Sequence, residues 1–363
     1  MNLTEDEKAV VFLDCFEHLE YKYKAQLLLS LDRPSDIFKD GKYLERYFKS
    51  VGQGAVGENI VKAMEIKGFV DDAVKDATCN ADGVVTMFSD NYPESLKAIN
   101  LPPLALYYKG NVKLLDEKQK FSIVGSRRTF EPYITKTQEV AETLTDNGIV
   151  VVTGFAEGGD RAAIDGAIKN GKVITVFAGG VDAVYPKHHE PLALAVAENG
   201  LIISEHRCKF APKFYSFIMR NRIIAGLGGG VLIVSGNRKS GTRHTAEFAL
   251  DSGREVCCFP YGFGEAGAIC KELVKNGAAL VESAKDIASV MGYTLKEKKS
   301  IEISEDESVV LNLIKKGITD SDDIIINSKL SVAKAIETLT NLEIKKLIVR
   351  DSDSSYALTQ AEE

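Results

Sequence analysis

Between residues 121 and 260 the chain repeats one pattern: a continuous apolar run, a turn, then an amphipathic stretch of helical length. The runs are FSIVGS (121–126), IVVVTG (149–154), VITVFAGG (173–180), LIISEH (201–206), GVLIVSG (230–236) and EVCCFP (255–260). Between and after them lie ITKTQEVAETLTDN, DRAAIDGAIKN, EPLALAVAEN, FIMRNRIIAGL, TAEFALDSG and AICKELVKNG. A strand that is apolar at consecutive positions is buried on both faces. Alternation of such strands with helices predicts a parallel sheet covered on both sides, an α/β, Rossmann-like core.

The flanks read differently. Residues 1–85 carry helical periodicity in EDEKAVVFLDCF, KYLERYFKSV and ENIVKAMEIKGF, with glycine breaks between, as in a helix-hairpin-helix or SAM-like module. In the connector DNYPESLKAINLPPLALYYKGNVKLL, Pro102-Pro103 blocks a helix and LALYY reads as a strand. After about residue 285 the chain turns polar (LKEKKSIEISEDE). It then offers three short helical segments, SVVLNLIKK, SDDIIIN and SVAKAIETLTNLEIK, and a hairpin, LIVRDSDSSYAL. Three helices and a β-wing describe a winged helix. The expected domains are therefore a helical domain at 1–85, a Rossmann-like domain at 86–290 and a winged-helix-like domain at 301–363.

Composition excludes several classes. With 45% apolar residues in 363, the chain can build real cores, so wholesale disorder is excluded. No apolar run approaches the ~18–20 residues of a membrane span, and the N-terminus MNLTEDEKAV is polar and acidic, unlike a secretory signal. A cytoplasmic protein without membrane contact is the expectation. Six cysteines show no CxxC spacing, and the histidines pair only at His188-His189, so no metal and no cofactor are expected from the spacing.

The net charge of −7 argues weakly against nucleic acid, but its distribution argues the other way. From His206 to Thr245 the chain carries eight lysines and arginines and no acid, leaving −15 for the remainder. Ligands of open parallel sheets bind beyond the C-terminal ends of the strands. Those ends read Gly125-Ser126-Arg127-Arg128, Thr153-Gly154-Phe155, Ala178-Gly179-Gly180 with Tyr185-Pro186-Lys187 beyond, and Ser240-Gly241-Thr242. Glycines let a backbone come close, and helix N-termini present unpaired N–H groups, so a phosphate is the natural guest. Arg127, Arg128, Lys187 and Arg243 would supply the counter-charge. Arg220, Asn221 and Arg222 follow Phe214, Tyr215 and Phe217, and basic groups interleaved with aromatics suit single-stranded nucleic acid. The alternative is that Arg220 and Arg222 solvate a helix face or pair with Glu205. There is no Walker A loop and no G-x-S-x-G elbow, and no acid/base pair can be assembled from the spacing.

In order along the chain, YPESLKAINLPPLALYYKG, IVGSRR, TGFAEGGDRAAIDGA, AGGVDAVYP, ISE, RNRIIAGL, SGTRHTA and GREV resemble the motifs of the DprA/Smf family, DNA-processing proteins of bacterial natural transformation. The family usually has His where Ile164 stands and Arg where Met219 stands. The resemblance implies a protein that is not an enzyme. It would bind single-stranded DNA, protect incoming strands and load the RecA recombinase, acting as a homodimer joined through its Rossmann domain. Carried over by motif, the DNA-binding residues are Gly125, Ser126, Arg127, Lys187, Arg220, Asn221, Arg222, Ser240, Gly241 and Thr242. Arg128 and Arg243 are added from position alone.

Two other readings stand beside it. SGTRHTAE is similar to the loop of Rossmann-like phosphoribohydrolases (LOG-like), with Glu247 as the acid. A nucleotide sensor with the winged helix as output is the third.

Overall fold

A computed structural model describes residues 3–262, 264–296, 303–345, 347–350 and 355–358. The chain divides into two compact units, Met1–Leu295 and Lys296–Glu363.

The first unit is built on a nine-stranded sheet: β1 (Gly83–Thr86), β2 (Ala105–Gly110), β3 (Lys120–Val124), β4 (Val150–Thr153), β5 (Val173–Val176), β6 (Leu201–Ser204), β7 (Gly230–Ile233), β8 (Glu255–Cys258) and β9 (Ala279–Leu280). Their spatial order is β1-β2-β6-β5-β4-β3-β7-β8-β9. From β6 to β9 every pairing is parallel, while β1 and β2 close the β6 edge antiparallel. The six apolar runs are all strands. The chain winds outward from β3 to β6 and then returns to lay β7 against β3, with Ser122 opposite Val231. At that reversal the connections leave in opposite directions, and a crevice opens beyond the strand ends.

Five helices precede the sheet: α1 (Glu5–Asp14), α2 (Tyr21–Leu29), α3 (Gly41–Ser50), α4 (Gly54–Glu65) and α5 (Phe69–Ala77). Within the sheet region come α6 (Glu94–Lys97), α7 (Glu131–Asp146), α8 (Gly159–Ala167), α9 (Glu190–Asn199), α10 (Phe214–Leu227), α11 (Thr242–Asp251), α12 (Ala268–Lys275) and α13 (Ala284–Met291). Strand residues alternate between two cores. Phe121, Ile123, Val151 and Cys257 join Val140 and Leu144 of α7 and Ile164 of α8. Val124, Val152, Val231 and Cys258 join Ile223 and Ile224 of α10 and Ala249 of α11. The adjacent cysteines Cys257 and Cys258 thus pack on opposite faces of one strand.

The expected boundary at 85/86 falls inside β1. Val84 of that strand belongs to a core that also holds Phe12, Leu27, Phe48 and Tyr107, so the helical residues and the sheet share one apolar interior. The Tyr107 hydroxyl is fully buried with its ring and donates to Asp14 at 3.1 Å.

The second unit contains α14 (Glu305–Lys315), α15 (Ser321–Ser328), α16 (Val332–Ile344) and an antiparallel pair, β10 (Ile348–Arg350) and β11 (Tyr356–Leu358). Ser304 and Glu307 cap α14 reciprocally. Val310, Ile314, Ile324, Leu339, Leu342 and Tyr356 form its own core, the packing expected of three helices and a wing. The linker residues 297–302 and the hairpin tip 351–354 lie outside the described residues. No helix among those described is long and apolar enough to cross a membrane.

Candidate nucleic-acid interface

A groove of about 560 Å³ opens at the reversal between β3 and β7. Its floor is made where three backbone turns meet. The turn after β3 (Gly125-Ser126-Arg127) lies on the N-terminus of α8. A Cβ on Gly125 would stand 2.7 Å from the Gly159 Cα, so both positions need glycine for this approach. The Ser126 N–H donates to Ser235 Oγ at 3.1 Å, which ties the β3 turn to the end of β7. Asp160, buried at the start of α8, accepts the N–H groups of Gly125 (3.2 Å) and Ala156 (3.3 Å). Burial raises the Asp160 carboxyl above its ordinary value, opposed by the Arg220 charge and the two amides.

The wall comes from α10 and the turn before α11. Arg220 is buried, donates to the Val176 carbonyl and holds the Asn221 side-chain oxygen at 3.1 Å. Burial pulls its guanidinium below its ordinary value, and Asp160 pushes it back. The Asn221 amide donates to the Gly241 carbonyl at 3.2 Å, so α10 positions the Ser240-Gly241-Thr242 turn. The Thr242 hydroxyl donates to Ser240 Oγ at 2.8 Å. The first turn of α11 faces this groove, with the Thr242 N–H on Ser240 Oγ at 3.4 Å and the Arg243 N–H on the Ser240 carbonyl at 3.1 Å.

The structure therefore brings together, as groove lining, Gly125, Ser126, Arg127, Arg220, Asn221, Ser240, Gly241 and Thr242. Lys187 is exposed and lines neither the groove nor the neighbouring pocket of about 210 Å³, although Tyr185 and Pro186 just before it line that pocket, which shares Arg127 and Arg220 with the groove. Arg128 is exposed next to the β3 turn, its N–H on Ser126 Oγ at 3.2 Å.

Besides Lys187 and Arg128, two further expected residues are absent from the groove lining. Arg222 points away from it and is buried against Glu205 in a two-pronged pair (2.9 and 2.6 Å), with further bonds to the carbonyls of Leu101 and Met219. Helical periodicity explains the split: residues two apart cannot share a face. Burial would raise the Glu205 carboxyl, but the Arg222 charge and hydrogen bonds hold it below its ordinary value. Arg243 is occupied by Glu272 at 2.8 Å, and its charge is further offset by Glu247 at 3.9 Å. Among the described residues, by contrast, Arg127, Arg128, Lys187, Arg238 and Lys239 form no ion pair.

Several contributors escape a reading of the motifs. Ser235 and Asp160 act as the knots beneath the turns, and Lys239 joins the lining. Aromatic rings flank the opening: Phe214 and Tyr185 are exposed, and Tyr185 meets Phe217 edge-on at 5.4 Å. The acid-free run was the available signal for Lys239. His189 is buried edge-on against Phe155. Glu247 is exposed and pairs with the groove-lining His244 at 3.2 Å, without itself being among the lining residues. G-x-G-x-x-G spacings occur at Gly52, Gly54 and Gly57, running from the turn after α3 into α4, and at Gly262, Gly264 and Gly267, after β8, neither of them after the strand at the reversal. At the second, Lys271 donates to the carbonyls of Gly262 and Gly264.

The model of the DNA recombination-mediator protein A family matches residues 83–292, which hold the whole sheet and the groove. The chain is 37% identical over 206 residues to the DNA processing protein DprA of Bacillus subtilis, covering 56% of this chain and 69% of that one. It is 35% identical over 210 residues to the protein Smf of Escherichia coli, 57% of this chain and 56% of that one. The solved structure of DprA from Streptococcus pneumoniae superposes with a TM-score of 0.67 at 28% identity, over 80% of this chain and 98% of that one. DNA processing protein A of Helicobacter pylori, solved for its single-stranded DNA binding mode, gives a TM-score of 0.53 at 30% identity over 58% and 97%. With the sheet order, the groove at its reversal and these likenesses in hand, the chain belongs to the DprA/Smf family of DNA-processing, recombination-mediator proteins.

Proposed function

We propose that this chain binds single-stranded DNA in the groove between β3 and β7 and delivers it to the RecA recombinase during DNA uptake, acting as a homodimer in the cytoplasm and without turning over its ligand. The observation that carries the reading is the contrast in charge pairing. Among the described residues, the groove-lining Arg127 and Lys239 form no ion pair over a floor of glycine turns and helix N-termini, while Arg222 and Arg243 are neutralised elsewhere. Cations that carry no ion pair at the end of a sheet bind phosphates. The exposed rings of Phe214 and Tyr185 offer faces on which bases stack without regard to sequence. The Helicobacter pylori relative is described as binding single-stranded DNA, which supports the same ligand here.

The test is a mobility-shift assay with single- and double-stranded oligonucleotides, with and without RecA. Single strands should shift at lower protein concentration than duplexes of equal length, and RecA should assemble faster on strands carrying this protein. Equal shifts for both forms would contradict the groove reading, and an unchanged RecA rate would remove the loading step alone.

A further inference from the structure

Cys79, Asp182 and Cys208 lie far apart in sequence but meet on one surface. Cys79 sits in the turn after α5, Asp182 in the loop after β5, and Cys208 in the loop after β6 that runs into α10. The two Sγ atoms and a carboxylate oxygen all lie within 4.8 Å of one another. Zinc bonds of about 2.3 Å to sulfur and about 2.0–2.2 Å to oxygen put tetrahedral ligands roughly 3.5–4 Å apart. Closing the set therefore needs only a small shift.

The surrounding bonds orient these groups. Asp182 Oδ2 accepts the Asn80 side-chain amide at 2.7 Å, and Oδ1 accepts the Lys209 N–H at 2.8 Å. Both donors are neutral. The Lys209 amine reaches Asp76 instead, and no ion pair among the described residues includes Asp182. Cys208 Sγ accepts the Asn80 N–H at 3.4 Å. The Cys208 N–H in turn holds the carbonyl of Ala77 at 2.8 Å, fixing the two loops together. A Cβ at Gly180 would stand 2.8 Å from Asp182 Oδ1 and 3.1 Å from the Cys208 Cα, so the loop has room only for glycine there. Ligand-orienting hydrogen bonds of this kind accompany metal sites.

We propose that Cys79, Asp182 and Cys208 form a zinc site, completed by solvent on the exposed Cys79 side, that clips the end of the helical residues to the loop entering α10. Two thiolates and one carboxylate select zinc over the hard cations magnesium and calcium. Binding releases the two thiol protons to solvent, so affinity rises with pH. The site is separate from the groove and does not depend on what the groove binds.

The full chain, purified under reductant and stripped with a chelator, is titrated with Co²⁺ as a spectroscopic probe and then with Zn²⁺. One equivalent of Co²⁺ should give a thiolate-to-cobalt charge-transfer band, and Zn²⁺ should bleach it. Cys79→Ser, at an exposed position, should weaken binding about tenfold or more and remove much of the band. Asn80→Ala should weaken it by about 10-fold through lost orientation. Cys15→Ser should leave the band intact. No band at stoichiometric Co²⁺, a band undiminished in Cys79→Ser, or a Cys79–Cys208 disulfide holding no metal would each overturn the assignment.

Discussion

Arg127 and Arg222 show how residues of one type divide their work. Arg127 is exposed on the groove rim and forms no ion pair; Arg222 is buried with its fork on Glu205. Arg127→Ala should therefore weaken single-stranded DNA binding about equally for all sequences, at unchanged melting temperature. It should also reduce the salt slope by about 0.7, one phosphate contact. Arg222→Ala should act through stability, since it leaves Glu205 buried and unpaired, at a cost of about 3–5 kcal/mol. Thermal melts of both variants beside anisotropy titrations separate the two roles. A binding loss in Arg222→Ala with an unchanged melt would contradict the assignment. Glu205 adds a pH signature. Its carboxyl lies below its ordinary value in the folded chain, so its contribution is fully present above about pH 4.3 and is lost as the pH falls through the folded value. Acid denaturation monitored by circular dichroism should be less steep in Glu205→Gln, after allowing for its lower starting stability.

At the scale of elements, the groove depends on glycine contacts more than on any one cation. Gly125 and Gly159 bring the β3 turn onto α8, and Gly158, in left-handed conformation at φ 76°, sits against the Ser126 carbonyl. Gly159→Ala should force these turns apart at a cost of about 1–3 kcal/mol. It should also lower DNA affinity more than Arg127→Ala does, as read by the same titration on protein shown to be folded. The strands and most helices were legible because continuous apolar runs leave few other solutions. The runs that escaped were short or weakly patterned. β1 is four residues that begin with a glycine, and β9 is two. Helix α2 (YKYKAQLLL) mixes lysines into its apolar face, and Lys24 is itself buried, paired with Asp14 at 3.4 Å. The site was legible as a set of strand ends. What the motifs could not tell was which arginine of RNR faces the groove, because that depends on Glu205, just after β6, taking the other.

The whole molecule comprises a nine-stranded sheet, a helical module sharing its core, and a separate winged unit with its own core. Since the groove lies wholly within the first unit, a chain ending at residue 295 should bind single strands with affinity within about threefold of the full chain; a larger loss would assign part of the DNA contact to the second unit. The electrostatics follow from the layout: a chain of net charge −7 concentrates eight basic residues in an acid-free run, and the structure neutralises some of them and leaves others unpaired at one groove. The most direct test is a fluorescence anisotropy titration of labelled oligo-dT with the full chain across a salt series. The prediction is sequence-independent binding whose log affinity falls linearly with log salt, at a slope between about −2 and −4, as expected for three to five released counterions. No binding at low salt, or binding indifferent to salt, would contradict the account.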